Sequence, residues 1–303
     1  MDGILVVLKP AGPTSHDIVA LVRRLAATKR VGHGGTLDPF AGGVLPLFLG
    51  RATRMVEYHL GDRKGYRATV CFGASSTTDD LEGELTPSAG PAPTRDAVIA
   101  ALQAFLGPIS QRPPAYSAIK VAGRRAYAMA RAGESVELAP REVTIERLEL
   151  ADWDDRDPDR PIAVVDVECS AGTYIRALAR DLGESLGGAA YLGALTRTAS
   201  GPFAVEQAVS MERVREAAAE GPDRLASLLL PIDTGLESMA EHVASAEEVV
   251  AISRGQFVRA PQVAADDGSP VRVRDEGGRL VAIAVVRDGR LAPDKVLVDA
   301  GSA

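Results

Sequence analysis

Strand-like apolar runs at residues 3–8, 66–72, 143–150 and 162–169 are joined by connections of hairpin length or irregular build, with no regular series of βαβ crossovers. Parallel sheets depend on such crossovers. The pattern therefore predicts an α/β (α+β) fold: a mixed, largely antiparallel sheet with helices packed against it. Helices are expected at 94–106, 173–186 and 211–219. One more should follow the first strand, where prolines break the chain at 10 and 13 and Thr14 and Asp17 stand at capping-box spacing. Near residues 231–235 the pattern changes. A helix at 245–253 closed by Gly255 precedes short strands at 271–274, 280–286 and 296–298, with Gly277-Gly278 and Asp288-Gly289 as turns. The chain thus divides into a larger unit, 1–236, and a small β-rich unit, 237–303.

At 303 residues, 46% hydrophobic and 25% charged, the chain has globular composition and material for a sizeable core. No apolar run approaches the roughly 20 residues that span a bilayer, and Met1-Asp2-Gly3 lacks the basic start of a secretion signal. A cytoplasmic protein without membrane contact is expected. Cys71 and Cys169 each lie inside an apolar run, without the clustered Cys/His spacing of a zinc site, so no metal is expected.

The formal charge of -7 excludes a uniformly basic surface, but the cations are unevenly spread. Between residues 1 and 67, Lys9, Arg23, Arg24, Lys29, Arg30, Arg51, Arg54, Arg63, Lys64 and Arg67 outnumber Asp2, Asp17, Asp38, Glu57 and Asp62. Between 112 and 131, Arg112, Lys120, Arg124, Arg125 and Arg131 meet no acid and interleave with Tyr116 and Tyr127. Such runs are commonly solvated faces. Stacking rings beside phosphate-seeking cations are also what a single-stranded RNA loop requires.

The densest signal is residues 31–46, Val-Gly-His-Gly-Gly-Thr-Leu-Asp-Pro-Phe-Ala-Gly-Gly-Val-Leu-Pro. The whole of 32–49 reads as one long irregular segment, and long loops in compact domains usually carry function. On the residues alone, Asp38 is either a turn residue ahead of Pro39 or an acid that the loop presents to a ligand.

This stretch resembles the catalytic loop of the tRNA pseudouridine-55 synthase family, commonly called TruB, in which a Gly-Thr/Ala-Leu-Asp-Pro segment presents the nucleophile. Lys64-Gly65-Tyr66 resembles the family's Lys-x-Tyr motif, and Gly172-Thr173-Tyr174-Ile175-Arg176 its Gly-Thr-Tyr-Ile-Arg segment. Residues 111–120, continuing through Gly123, Tyr127, Ala130 and Arg131, resemble an insertion, about 111–141, that grips the T-loop. Leu195-Thr196-Arg197-Thr198 and Gly201-Pro202-Phe203 resemble the segment whose leucine lines the uridine pocket. Gly255-Gln256 and Leu291-Ala292-Pro293 more weakly resemble a PUA-type RNA-binding domain. The resemblance covers about residues 3–235, in the family's order. Gly42 stands where many relatives carry Ser or Thr, and Thr196 where they often carry Arg.

The resemblance implies an isomerase acting on uridine 55 of the tRNA T-loop, with no cofactor and no obligatory protein partner. Asp38, Tyr66 and Arg176 would be catalytic. Asp38 would be the nucleophile, Arg176 its charge partner through two charge-assisted bonds, and Tyr66 a stacking platform for the extruded base. His33 would fill the place of the flipped base, Leu195 would line the pocket, and Lys9 would touch phosphate. From the cation runs, Lys64, Lys120, Arg124 and Arg125 are expected to add affinity. A carboxylate can attack the sugar C1′, add to C6 or shuttle a ribose proton, and the sequence leaves these open. A catalytic subunit of a guide-RNA particle and a non-catalytic RNA chaperone are the alternatives. A glycosidase would need a second acid near the loop, which the sequence does not display.

Overall fold

The computed structural model describes residues 1–299 apart from 118, 122, 133 and 135–137; for 120, 121, 125, 128, 130 and 131 it describes the backbone alone. A ten-stranded sheet forms the body. Its main path runs through Val209–Ser210, Gly3–Lys9, Gly42–Leu49, Ala190–Ser200, Lys64–Phe72, Ile162–Cys169, Arg141–Asp154 and Gly107–Gln111, with Val31–His33 and Phe203–Ala204 paired at its side. Only two of these pairings are parallel, Gly3–Lys9 with Val209–Ser210 and Gly42–Leu49 with Ala190–Ser200. The sheet is therefore mixed and largely antiparallel, as the short connections predict.

One face of the sheet carries the amphipathic helix Ile175–Ser185, whose Ile175, Leu178, Ala179 and Leu182 pack with Ala68, Val70, Val165 and Leu192 of the strands. The helix Ser15–Leu25 begins at the predicted capping box, with the Asp17 N–H on the Thr14 hydroxyl and the Thr14 N–H on the Asp17 carboxylate. Two of the unpaired donors at the helix start are thereby satisfied.

The segment 32–49 is not one loop. Val31–His33 and Gly42–Leu49 are strands, leaving 34–41 irregular. Glycine and proline punctuation masks the second strand, which is buried along almost its whole length and pairs with Gly3–Lys9 from Gly3↔Leu49 to Lys9↔Gly43. Gly43, at φ +105, lies so close to the next strand that a Cβ there would stand 2.2 Å from the Arg197 carbonyl oxygen. The long strand Ala190–Ser200 has no counterpart among the predicted elements. The helix expected at 94–106 is Arg95–Leu102 followed by a tighter turn, and the last strand is Arg290–Val296 instead of 296–298.

A second, five-stranded sheet runs in the order Ala240–Ala244, Pro270–Asp275, Leu280–Arg287, Arg290–Val296, Val258–Arg259. It has a core of its own, but Leu280, Ile283 and Leu297 join another with Ile4, Val6, Phe48, Met55 and Phe203 of the large sheet and its flank. Polar ties cross the same seam: Arg51 reaches the Leu297 carbonyl, Lys295 pairs with Glu57 at 3.0 Å, and Arg272 and Arg274 both hold Asp233. Among the described residues, no helix is long and apolar enough to cross a membrane.

Candidate active site

The irregular stretch 34–41 is pinned from several sides. Its backbone bonds the Gly34 N–H to Pro46 O at 3.0 Å and accepts the Gly12 N–H on Pro39 O at 2.8 Å. Ser15, in the first turn of its helix and fully buried, accepts the Leu37 N–H at 2.9 Å and donates to the Leu37 carbonyl at 3.1 Å. Lys9 ends the first strand, and its ammonium donates to Ala41 O at 2.6 Å, Pro39 O at 3.1 Å, Asp38 O at 3.3 Å and Pro10 O at 3.0 Å. At 1% exposure it cannot meet a phosphate, so the expectation of an RNA contact at Lys9 is corrected. The reason is geometric: three tetrahedral donors match a turn that gathers carbonyl oxygens. Burial lowers the Lys9 pKa to about 8, with Asp38 raising it and Arg197 lowering it further.

So held, the loop presents Asp38 to Arg176. The Arg176 Nε lies 3.0 Å from Asp38 Oδ2. The rest of the guanidinium goes elsewhere: Nη1 donates to Asp80 Oδ2 at 3.1 Å and to Thr78 O at 3.2 Å, and Nη2 to Tyr116 O at 2.9 Å. The expected two-bond grip on one carboxylate is therefore corrected to a fork shared by two. Arg176 opens the helix Ile175–Ser185 and is buried there, which fixes its direction. Asp80 is buried and also accepts the Thr78 hydroxyl and the Glu82 N–H, the latter at 3.0 Å. A second acid does stand near the loop, contrary to the reading of the sequence. Its oxygens are committed to these donors, which suits it to holding Arg176 and not to moving protons.

Asp38 keeps 38% of its side chain open. Burial nevertheless raises its pKa, with Arg176 pulling it down, Asp80 pushing it up and Lys9 pulling it down. Beside the pair opens a cleft of about 400 Å³ lined by Asp38, Pro39, Thr78, Asp80, Tyr116, Tyr127 and Arg176, among others. That is within the range of small-molecule sites.

Tyr66 is not on the wall of this cleft. Its half-buried ring packs against the core cluster that also holds Leu37, Ala41 and Leu195. It stands in register opposite Arg197. Burial raises the Tyr66 pKa and Arg197 opposes the rise. Leu195 is buried two positions along the same strand. His33 enters the loop with its ring half-buried and edge-on to His16, centroids 5.8 Å apart. Burial, then the charges of His16 and Arg197, lower its pKa, so it is neutral at pH 7, and Nδ1 accepts the Gly35 N–H at 3.3 Å.

The expected affinity cations divide. Lys64 is buried, with its ammonium 3.4 Å from His59 O; burial and then Arg197 bring its pKa to about 8, so it does not face solvent phosphate. Arg124 is exposed but forms a two-bond pair with Glu134, at 2.9 and 2.7 Å, an acid just past the acid-free run. The side chains of Lys120 and Arg125 lie outside the described residues. Sequence reasoning gave no role to Ser15, Asp80, Gln111 or Arg197. Gln111, fully buried, clamps the Tyr174 backbone through both amide atoms, at 3.1 and 2.8 Å, and so ties the 111–141 segment to the residues ahead of Arg176. No strand is read at 190–200 from the sequence, and register shifts on both sides of Arg197 break the alternation that would mark it as inward-facing.

The family described as "TruB family pseudouridylate synthase (N terminal domain)" matches residues 23–175. "tRNA pseudouridylate synthase B C-terminal domain" matches 176–237, and "Pseudouridine synthase II TruB, C-terminal" matches 240–297. A tRNA pseudouridine synthase B of Bradyrhizobium diazoefficiens is 43% identical over 299 residues, covering 98% of this chain and 86% of that protein. One from Thermobifida fusca is 46% identical over 310 residues, covering 99% of each. Among solved structures, a Cbf5-Nop10-Gar1 complex contains a chain with TM-score 0.75 and 25% identity, covering 98% of this chain and 85% of that one. Kinship along nearly its whole length, together with an aspartate presented on a pinned loop to a buried arginine, establishes that this chain belongs to the TruB family of pseudouridylate synthases, which are isomerases.

Proposed function

We propose that this chain converts uridine 55 in the T-loop of tRNA to pseudouridine, with Asp38 as its catalytic carboxylate. The observation that carries the reading is Asp38 itself, tethered at 3.0 Å to a buried Arg176 yet open to a cleft of nucleotide scale. The names of the relatives supply the substrate class. The reaction breaks the C1′–N1 bond, forms C1′–C5, removes the proton from C5 and returns one to N1. No oxidant, metal or energy source enters the balance. An ionised carboxylate serves attack at C1′, addition to C6 or ribose proton transfer, and Arg176 keeps the acid aimed in all three.

The target base must leave its stack to reach Asp38. His33, neutral and standing at the mouth of the loop, suits the vacated position, because an uncharged ring stacks at little desolvation cost. Tyr66 and Leu195 do not line the open cleft, so an extruded uracil meets their apolar side only by passing deeper than Asp38. Glu82 and Glu84 line the outer cleft and repel phosphate there, so the backbone is expected to run along the opposite rim, past the 111–141 segment. We assign residues 1–236 to catalysis and 237–303 to additional RNA contact, in a protein that acts in the cytoplasm without a cofactor or an obligatory partner.

The test uses unmodified tRNA, wild type and Asp38→Ala, with pseudouridine mapped at every position. A single T-loop signal from the wild type alone, with binding retained in the variant, is the expected result. Conversion by Asp38→Ala would remove the acid from the mechanism, and no conversion by wild type would remove the function. The likeness to the Cbf5 chain favours a second reading, catalysis within a guide-RNA particle. Activity on a bare T-loop hairpin separates the two.

A further inference from the structure

Arg197 takes no part in the acid pair, yet it is one of the largest fully buried side chains, at 1% exposure. Among the described residues its hydrogen-bond partners are all uncharged. Nε donates to Val44 O at 2.7 Å and Nη2 to Gly35 O at 3.2 Å, and Arg197 pairs in register with Tyr66 on the neighbouring strand. A buried charge without a counter-charge is costly, and a leucine at the same strand position would fold more cheaply. The cost falls at one place. Gly35 lies in the acid loop three residues ahead of Asp38, Val44 lies in the strand that leaves the loop, and Tyr66 is the strand residue directly opposite in register. One rigid planar group, on the strand paired with that of Tyr66, therefore joins the acid loop to the strand that leaves it.

We propose that Arg197 is a positioning residue for the isomerisation, setting the distance between the Tyr66 ring and the Asp38 loop so that a uracil detached from the sugar stays within reach of C1′ through its C5. The proposal rests on the assignment of Asp38 and Tyr66 given above. Misplacement of reacting groups by about 1 Å can cost on the order of 10²-fold in rate. Lysine at 197 keeps the charge but not the fork. Glutamine keeps a planar donor but neither the charge nor the reach.

The test is the single-turnover rate and the tRNA affinity of Arg197→Lys, Arg197→Gln, Tyr66→Phe and the double variant Tyr66→Phe with Arg197→Lys. Wild type and Asp38→Ala run in parallel. Arg197→Lys is expected to lose at least about 10-fold in rate, with affinity within threefold of wild type, and Arg197→Gln to lose more. Tyr66→Phe already removes the hydroxyl on the strand opposite Arg197, so adding Arg197→Lys costs less than threefold further. Multiplicative losses in the double variant, a loss carried by affinity, or a wild-type rate in Arg197→Lys would each overturn the proposal. Failure of both Arg197 variants to fold would do so too, by assigning the residue to stability alone. An inactive wild type would instead overturn the function on which it rests.

Discussion

On the outer face of the large sheet, Arg67 grips Asp166 with two 2.8 Å bonds, and Arg147 reaches Glu149 at 2.7 Å and Glu168 at 3.3 Å. Behind the acid loop, by contrast, Lys9 and Arg197 are buried and bonded mainly to backbone carbonyls, and Arg176 divides itself between two carboxylates and two carbonyls. The outer pairs look stronger on paper. Water screens them, though, and exposed pairs contribute roughly 0–1 kcal/mol. The inner cations stand where desolvation is severe, and losing a partner there leaves groups that nothing else can satisfy. The contrast separates charge that solubilises from charge that positions.

Arg176→Lys should break the inner arrangement most visibly. A point charge cannot reach Asp38, Asp80, Thr78 O and Tyr116 O together, so turnover on saturating tRNA should fall by about 10²-fold or more while tRNA binding, measured by filter retention, stays near wild type. Lys9→Met comes next. It strands the carbonyls of Pro39 and Ala41 in the interior and should cost about 3 kcal/mol in urea unfolding, with activity lost in proportion to the loosened loop.

Asp38 supplies a subtler test. Burial raises its pKa in the folded chain above the unfolded value of 3.8. Stability from this group is therefore fully present below the unfolded pKa and is lost as pH rises through the folded one, so the ionised acid favours unfolding at neutral pH. Asp38→Asn should melt no lower than wild type at pH 7 while making no pseudouridine, and the acid limb of wild-type turnover should lie above the ordinary aspartate range. A variant that melts well below wild type would show the Arg176 pair outweighing burial. Smallest of all, Arg67→Ala on the outer face should change unfolding free energy by less than about 0.5 kcal/mol and leave turnover alone.

The contrast also explains what the sequence disclosed. Local signals were legible because their physics is local: Thr14 and Asp17 cap a helix within one turn, and the short connections forbid a parallel sheet. Motif resemblance singled out Asp38, Tyr66 and Arg176; the structure joins Asp38 to Arg176 directly and leaves Tyr66 off the cleft wall. The strand Gly42–Leu49 was hidden because Pro46 and paired glycines read as loop, whereas its burial between two neighbouring strands decides the matter. Asp80 was invisible for a related reason. Its role is set by an arginine 96 positions away, a contact that no local pattern encodes. Lys9 and Lys64 were misread as surface cations because charge alone does not reveal which way a strand residue faces.

The seam between the two sheets has a consequence for how such a protein can change. Phe48 lies on the strand that leaves the acid loop, and it shares its core with Leu280, Ile283 and Leu297 of the terminal unit. Stripping that unit away would wet a patch worth about 1.5–3 kcal/mol for each large apolar side chain exposed. The tail thus completes a core bordered by the strand that leaves the acid loop, and swapping it for another module would require repacking Phe48 and its neighbours.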